Sequence, residues 1–212
     1  MNVLVAGANG NTGRQIVGLL LEDNHNVRAM IRDAAQADEL EKMGAEPVVA
    51  DLEYDVNFAV LGCDAVIFAA GSGSGTNNDK TMAVDRDGAI KLIEACERNA
   101  VNRFIMLSSV GADNPENGSD TLKTYLEAKA EADKRLLKSH LNYTIIRPVK
   151  LNDEAEVGKI EAKAKLEDAS GEIPRTDVAS VIVEALDNEN TYRKSFEITS
   201  GNTPIGGALS IV

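Results

Sequence analysis

The sequence predicts an α/β fold, a doubly wound parallel sheet in one domain spanning residues 1–212. Three observations carry that prediction. Short apolar runs alternate with stretches of helical spacing along most of the chain. The runs are apolar at consecutive positions, as in strands covered on both faces. The first run ends in a glycine-rich turn that opens a helix, and right-handed crossovers between such units wind a parallel sheet.

The elements follow in order. Residues 3–6 (VLVA) read as the first strand and 11–22 as a helix with Ile16, Leu19 and Leu20 at helical spacing. Residues 27–31 (VRAMI) make a second strand, and 34–43 a helix that Gly44 stops. A third strand covers 47–50, with Pro47 at its start, where a missing N–H is tolerated. Residues 64–70 (DAVIFAA) are the fourth strand, 81–99 a long helix, 103–107 the fifth strand, 121–139 a helix and 143–146 the sixth strand. Pro148 is expected to forbid simple continuation of that strand. Beyond it the pattern weakens to a helix over 177–186 and a short strand over 195–199. Residues 71–75 (GSGSG) are the one low-complexity stretch and are expected to be a mobile loop. There is no internal repeat.

Composition bounds the function. Hydrophobic residues make up 43% and charged residues 26%, ordinary for a globular chain. No apolar run approaches the roughly 18 residues of a membrane span. The first residues lack a basic segment, so no signal peptide is expected, and the chain is expected in the cytoplasm. Cys63 and Cys96 stand far apart and are expected to be reduced, buried thiols. The net charge of −12 opposes nucleic acid and anionic membranes as partners and is read as a solubility feature. The expected partner is a small-molecule substrate, and the expected assembly a monomer or homodimer. No metal is expected, because no His, Cys and carboxylate cluster has ligand spacing. His25 and His140 fall in turns before strands, away from the predicted cleft.

The turn reads Gly7-Ala8-Asn9-Gly10-Asn11-Thr12-Gly13, G-x-x-G-x-x-G, between the first strand and its helix. Gly7 permits the tight turn, Gly10 lets a diphosphate approach the backbone, and Gly13 lets helix and strand pack closely. Free N–H groups at the helix start, with its positive dipole end, would face the phosphates. Asn9 lies in the same loop, and Asn11 and Thr12 add side-chain donors. The second strand ends Ile31-Arg32-Asp33. Arg32 fits a 2′-phosphate and favours NADP over NAD. Asp33 would instead serve a ribose 2′-hydroxyl or cap the next helix. Asp51 and Leu52 end the third strand, where adenine would sit, and Asp51 also fits a helix cap.

The chain resembles the short-chain dehydrogenase/reductase superfamily, in particular its small atypical NAD(P)H-binding members, often labelled epimerase/dehydratase-like. The residues that carry the resemblance are GANGNTG at 7–13, VRAMIRD at 27–33, DAVIFAAGSG at 64–73, RFIMLSSVGA at 103–112, YLEAK at 125–129, YTIIRP at 143–148 and PRTDVA at 174–179. It implies a Rossmann-type fold, with a dinucleotide-binding core over 1–148 and an appendage over 149–212 closing one edge of the substrate cleft. It places Ala69, Ala70, Gly71 and Pro148 along the cofactor and Lys129 on the nicotinamide ribose.

Members with full activity use a Ser, a Tyr-x-x-x-Lys pair and an upstream Asn. Tyr125 and Lys129 match the pair and share one helix face at i and i+4. An ammonium beside the phenol favours its ionised form, bringing Tyr125 towards proton transfer. Ser109 would hydrogen-bond the substrate carbonyl, with Ser108 as the substitute. The Asn position holds Asp85 in Val84-Asp85-Arg86-Asp87-Gly88, and a carboxylate cannot donate as an amide does. That departure puts the usual proton relay in question and leaves cofactor binding untouched. A Tyr-x-x-x-Lys spacing also arises in ordinary exposed helices, and Asp85 reads equally as a surface acid. The loop 149–158, with Lys150, and the 174–177 corner, with Arg175 and Asp177, are expected to line the outer cleft.

The implied activity is NADP-dependent hydride transfer to or from a small carbonyl or hydroxyl compound. Two alternatives stand beside it: an epimerase/dehydratase acting on a nucleotide-sugar, for which the chain is short, and a non-catalytic NADP(H)-sensing regulator.

Overall fold

A computed structural model describes residues 1–73 and 77–212. The expected loop at 71–75 therefore lies partly outside the described residues. Strands β1 (Asn2–Ala6), β2 (Asn26–Ile31), β3 (Glu46–Val49), β4 (Ala65–Phe68), β5 (Arg103–Leu107) and β6 (Asn142–Pro148) pair in parallel in the order β3-β2-β1-β4-β5-β6. This is a Rossmann-type doubly wound α/β sheet. The strand order reverses between β1 and β4, so a crevice opens at the carboxyl ends of those strands.

The continuous apolar runs have a simple cause. Val3 and Val5 of β1 face one hydrophobic cluster, and Leu4 and Ala6 face another. In β4, Ile67 faces the first cluster and Phe68 the second. The first cluster lies under α1 (Asn11–Glu22) and α6 (Arg175–Asp187), through Ile16, Leu20 and Ile182. The second lies under α4 (Ala89–Arg98) and α5 (Asp120–Leu137), through Leu92 and Leu136. A strand with helices on both faces has no solvent side, so alternation disappears from its sequence.

Three expectations need revision. The helix expected over 81–99 is α3 (Asn78–Thr81), a π-helical stretch (Met82–Gly88) and then α4. Pro148 does not break the sixth strand but is its last residue, paired with Ile198. Pro148 lies past the last β5–β6 pair, Leu107 with Ile146, so its missing N–H costs no bond of that ladder. The 149–212 segment also does more than flank the cleft. Its strand β10 (Lys194–Ser200) pairs in parallel with β6, and β8 (Lys159–Lys163) and β11 (Thr203–Pro204) continue the sheet antiparallel. Strands β7 (Lys150–Asn152) and β9 (Glu172–Pro174) form a separate parallel pair. Arg103 ties α6 to the sheet by donating to the carbonyls of Leu186 (2.9 Å) and Ala185 (2.5 Å), acceptors that a helix end leaves unpaired.

Cys63 and Cys96 are buried free thiols, and burial raises the pKa of each. His25 lies 3.3 Å from the Met1 amine, before β2, and exposed His140 lies 3.6 Å from Glu97. Neither lines the cavities described below. Among the described residues no helix is long and apolar enough to cross a membrane, and no group of three His, Cys, Asp or Glu is placed to hold a metal.

Candidate functional site

The turn after β1 is fixed by close backbone contacts. Gly7 has φ +83°, and a Cβ there would lie 2.6 Å from Ala70 Cα, so the turn sits against the end of β4. A Cβ on Gly13 would lie 2.1 Å from the Gly7 carbonyl oxygen, so α1 packs directly on the turn. Gly10 is different, because its Cβ would meet only the Gly7 oxygen, at 3.3 Å. Gly10 is the N-cap of α1 and offers no side-chain cap. The N–H groups of Asn11, Thr12 and Gly13 have no acceptor among the described residues. They are the unsatisfied, positively polarised donors of a helix start. Arg14, which the sequence reading passed over, donates to the Asn9 carbonyl (3.3 Å) and Oδ1 (2.5 Å) and pairs with Glu39. It fixes the loop between Gly7 and Gly10.

A cavity of about 260 Å³ opens beside this turn. Its lining includes Gly7, Asn9, Gly10, Arg32, Asp51 and Leu52. Asn11, Thr12, Gly13 and Ala69 fall outside that lining. Arg32 is exposed and makes no ion pair or hydrogen bond among the described residues. Asp33 is occupied: its Oδ1 accepts from Ala35 N–H at 2.9 Å and completes a capping box with Gln36. Of its two readings, the cap describes it. Asp51 accepts from Glu53 N–H at 3.0 Å, closing a local turn rather than capping a helix. The sequence reading missed Gln36 and Lys80, which also line this cavity; Lys80 pairs with Glu53.

A second cavity, about 430 Å³, shares Ala70 and Gly71 with the first. It brings Asp85, Ser109, Tyr125, Lys129 and Pro148 together. These come from the π-helical stretch, the end of β5, α5 and the end of β6, elements far apart in sequence. π-helical segments recur at functional sites, and this one carries Asp85, which is fully buried. Lys129 Nζ is 3.3 Å from Asp85 Oδ1, an ion contact without hydrogen-bond alignment, and donates to the Leu107 carbonyl at 3.2 Å. Asp85 Oδ2 accepts from Ser72 N–H at 2.9 Å. Burial works against the Lys129 ammonium, but Tyr125, Asp85 and Asp133 outweigh it and raise its pKa above the ordinary lysine value. Its nitrogen lies 5.6 Å from the Tyr125 ring centroid.

The two serines differ. Ser108 is buried and donates to Asp133 Oδ2 at 2.9 Å, whereas Ser109 is part-exposed and donates to the Val110 carbonyl at 3.1 Å. Ser108 is thus committed inward. Asp133 also accepts from Arg147 Nε and Nη2, each at 3.0 Å. Burial pushes the Asp133 carboxyl above the ordinary range, against the opposing pull of Arg147 and Ser108. The sequence reading missed this cluster. The signal was present, since Tyr125, Lys129 and Asp133 repeat at i, i+4 and i+8 on one face of α5.

The outer expectations divide. Lys150 lines the second cavity, paired with Glu172 at 2.5 Å. Arg175 pairs with Asp153 at 2.6 Å. Asp177 lines neither cavity. It is fully buried and accepts from the N–H groups of Val157 (3.2 Å) and Gly158 (2.8 Å), a latch on the preceding loop.

Comparison with known proteins was made on this geometry. A family model described as NAD(P)H-binding matches residues 7–189. The chain is 46% identical, over 99% of both chains, to a Bacillus subtilis protein called uncharacterized sugar epimerase YhfK. A solved structure described as a putative NAD-dependent epimerase/dehydratase from Bacillus halodurans superposes with a TM-score of 0.97 at 43% identity, over 100% of both chains. The oxidoreductase ylbE from Lactococcus lactis superposes with a TM-score of 0.89 at 30% identity, over 100% of this chain and 96% of that one.

Proposed function

The chain belongs to the NAD(P)H-binding family, and from that premise we propose that it is an NADP-dependent oxidoreductase moving hydride to or from a small carbonyl or hydroxyl compound. One observation carries the reading. The cavity beside the glycine turn and the cavity holding Tyr125, Lys129 and Ser109 adjoin at Ala70 and Gly71. A ligand with a diphosphate at one end and a reactive ring at the other matches that arrangement.

The residues fit such a ligand. Asn11, Thr12 and Gly13 would offer N–H groups to the diphosphate, and Gly10 leaves the approach clear. Asp51 and Leu52 would meet adenine. Arg32, unpaired among the described residues, would take a 2′-phosphate. Ala69, Ala70, Gly71 and Pro148 would flank the chain of the cofactor, and Lys129 would hold its inner ribose. When bound, a nicotinamide supplies or accepts hydride.

The chain's own groups do the proton work. In reduction Tyr125 donates a proton to the substrate oxygen, and Ser109 hydrogen-bonds that oxygen as charge develops on it. Lys129 stays an ammonium because Tyr125, Asp85 and Asp133 favour its charged form, and it sets that charge 5.6 Å from the Tyr125 ring centroid. Asp85 holds Lys129 and the Ser72 backbone together. An NADPH-oxidation screen over aldehydes, ketones and quinones tests the reading. Tyr125→Phe is expected to lower kcat about 10²- to 10⁴-fold while leaving NADPH affinity unchanged. A Tyr125→Phe enzyme with full turnover would remove Tyr125 from its role.

A further inference from the structure

Resting on the oxidoreductase reading above, we infer that the substrate is a small uncharged carbonyl compound carrying a hydrocarbon chain, rather than a nucleotide-sugar or another anion. The cleft beyond Tyr125 is walled by Leu107, Val110, Leu122, Val149 and Leu151. Its polar lining is Asp85, Ser108, Ser109, Tyr125, Lys129 and Lys150; Asp85 and Ser108 are buried and already engaged, with Lys129 and Ser72 N–H and with Asp133. A site that recognises one oxygen and buries a carbon chain is built in this way.

The cations nearby are already committed. Arg147 is buried against Asp133, Arg175 pairs with Asp153, and Lys165 pairs with Asp113 and Glu197. Lys129 is held by Asp85 and the Leu107 carbonyl. Lys150 is 77% exposed and pairs with Glu172. An exposed pair of that kind opens easily, but the loop that follows carries exposed Asp153, Glu154 and Glu156. A diphosphate calls for several converging donors, commonly arginines, and the lining of this cleft holds no arginine among the described residues. Its volume of about 430 Å³ stands at the low end of ligand pockets, which span about 300–1,000 Å³.

Calorimetric titration of the NADP-saturated protein tests this without requiring turnover. The probes are butyramide, pentanamide and hexanamide (uncharged carbonyl compounds that are not reduced), with hexanoate and UDP as anionic counterparts. Affinity is expected to rise about two- to fourfold per methylene, the range for partial to full burial of a CH₂ group. Hexanoate is expected to bind at least about tenfold more weakly than hexanamide, the cost of desolvating a carboxylate without a partner, and UDP not at all. Leu122→Asn/Leu151→Asn, at an exposed and a part-exposed position, is expected to flatten the methylene series while unfolding as the parent does. A flat series in the parent, no amide binding, or tighter binding of hexanoate or UDP would overturn the inference. Turnover separates it from the reading beneath it. Reduction of keto acids or nucleotide-sugars in preference to hexanal removes the substrate class and keeps the oxidoreductase. Amide binding with the expected slope, but no NADPH oxidation by any carbonyl compound, removes the oxidoreductase and keeps the apolar uncharged site.

Discussion

The glycine-turn end of the cleft presents backbone to a ligand, whereas the Tyr125 end presents side chains held by buried charge. At the first end the essential features are close approaches at Gly7 and Gly13 and three N–H groups without acceptors among the described residues. Its Arg14–Glu39 ion pair lies at the surface. At the second end Lys129, Asp85, Asp133 and Arg147 are all buried and lean on one another. The difference teaches where each end is vulnerable. The first fails by steric intrusion and the second by an uncompensated charge.

Substitutions can sharpen that contrast. The largest effect is expected from Asp133→Ala, which strands the Arg147 guanidinium and frees Ser108. Breaking a buried pair from one side costs about 3–5 kcal/mol, to be read as a fall in the urea midpoint. Gly13→Ala drives a methyl group into the Gly7 carbonyl and is expected to cost about 3 kcal/mol, together with loss of NADPH binding. A Gly13→Ala protein of wild-type stability would show that the packing of α1 on the turn is looser than the contacts described.

Asp85→Asn acts more gently and through pH. Asp85 is one of the groups that raise the Lys129 pKa. The folded state therefore holds the proton more tightly than the unfolded chain does. That stabilisation is complete below the ordinary lysine value of about 10.4 and is lost as pH rises through the higher folded value. In Asp85→Asn the alkaline fall in stability is expected at lower pH than in the wild type. Denaturant midpoints between about pH 8 and pH 11 check it, and an unmoved alkaline limb would detach Asp85 from Lys129. The smallest effect is expected from Glu39→Gln at the exposed Arg14 pair, which should leave the thermal midpoint unchanged within error.

The same contrast explains what the sequence made legible. The β1–α1 turn could be read because a backbone that must pass within a Cβ radius of its neighbours demands glycine at particular positions, here Gly7 and Gly13. The central strands could be read because burial on both faces leaves a continuous apolar run. Strands β7, β8, β9 and β11 could not, since KLN, KIEAK, EIP and TP are short and mixed, and their pairing depends on partners elsewhere in the chain. Nor does Met82–Gly88 carry a local mark of π-helical winding. Tyr125 and Lys129 stood out by helical spacing. Asp133 carried the same spacing but acquires its role only through Ser108, just past β5, and Arg147 on β6.

The central claim is that the bare helix start beyond β1 receives the diphosphate of a nicotinamide dinucleotide. Calorimetric titration of NADPH into the wild type and Gly10→Ala tests it most directly. A Cβ at Gly10 meets the Gly7 carbonyl oxygen at 3.3 Å, which a shift of a few tenths of an ångström relieves, so the variant is expected to fold with a small loss of stability while blocking the ligand's approach. The account predicts saturable binding at one site per chain and affinity at least about tenfold weaker in Gly10→Ala, a difference of about 1.4 kcal/mol. Equal affinity in the two proteins, or no saturation of the wild type by NADPH or NADH at millimolar concentration, would contradict it.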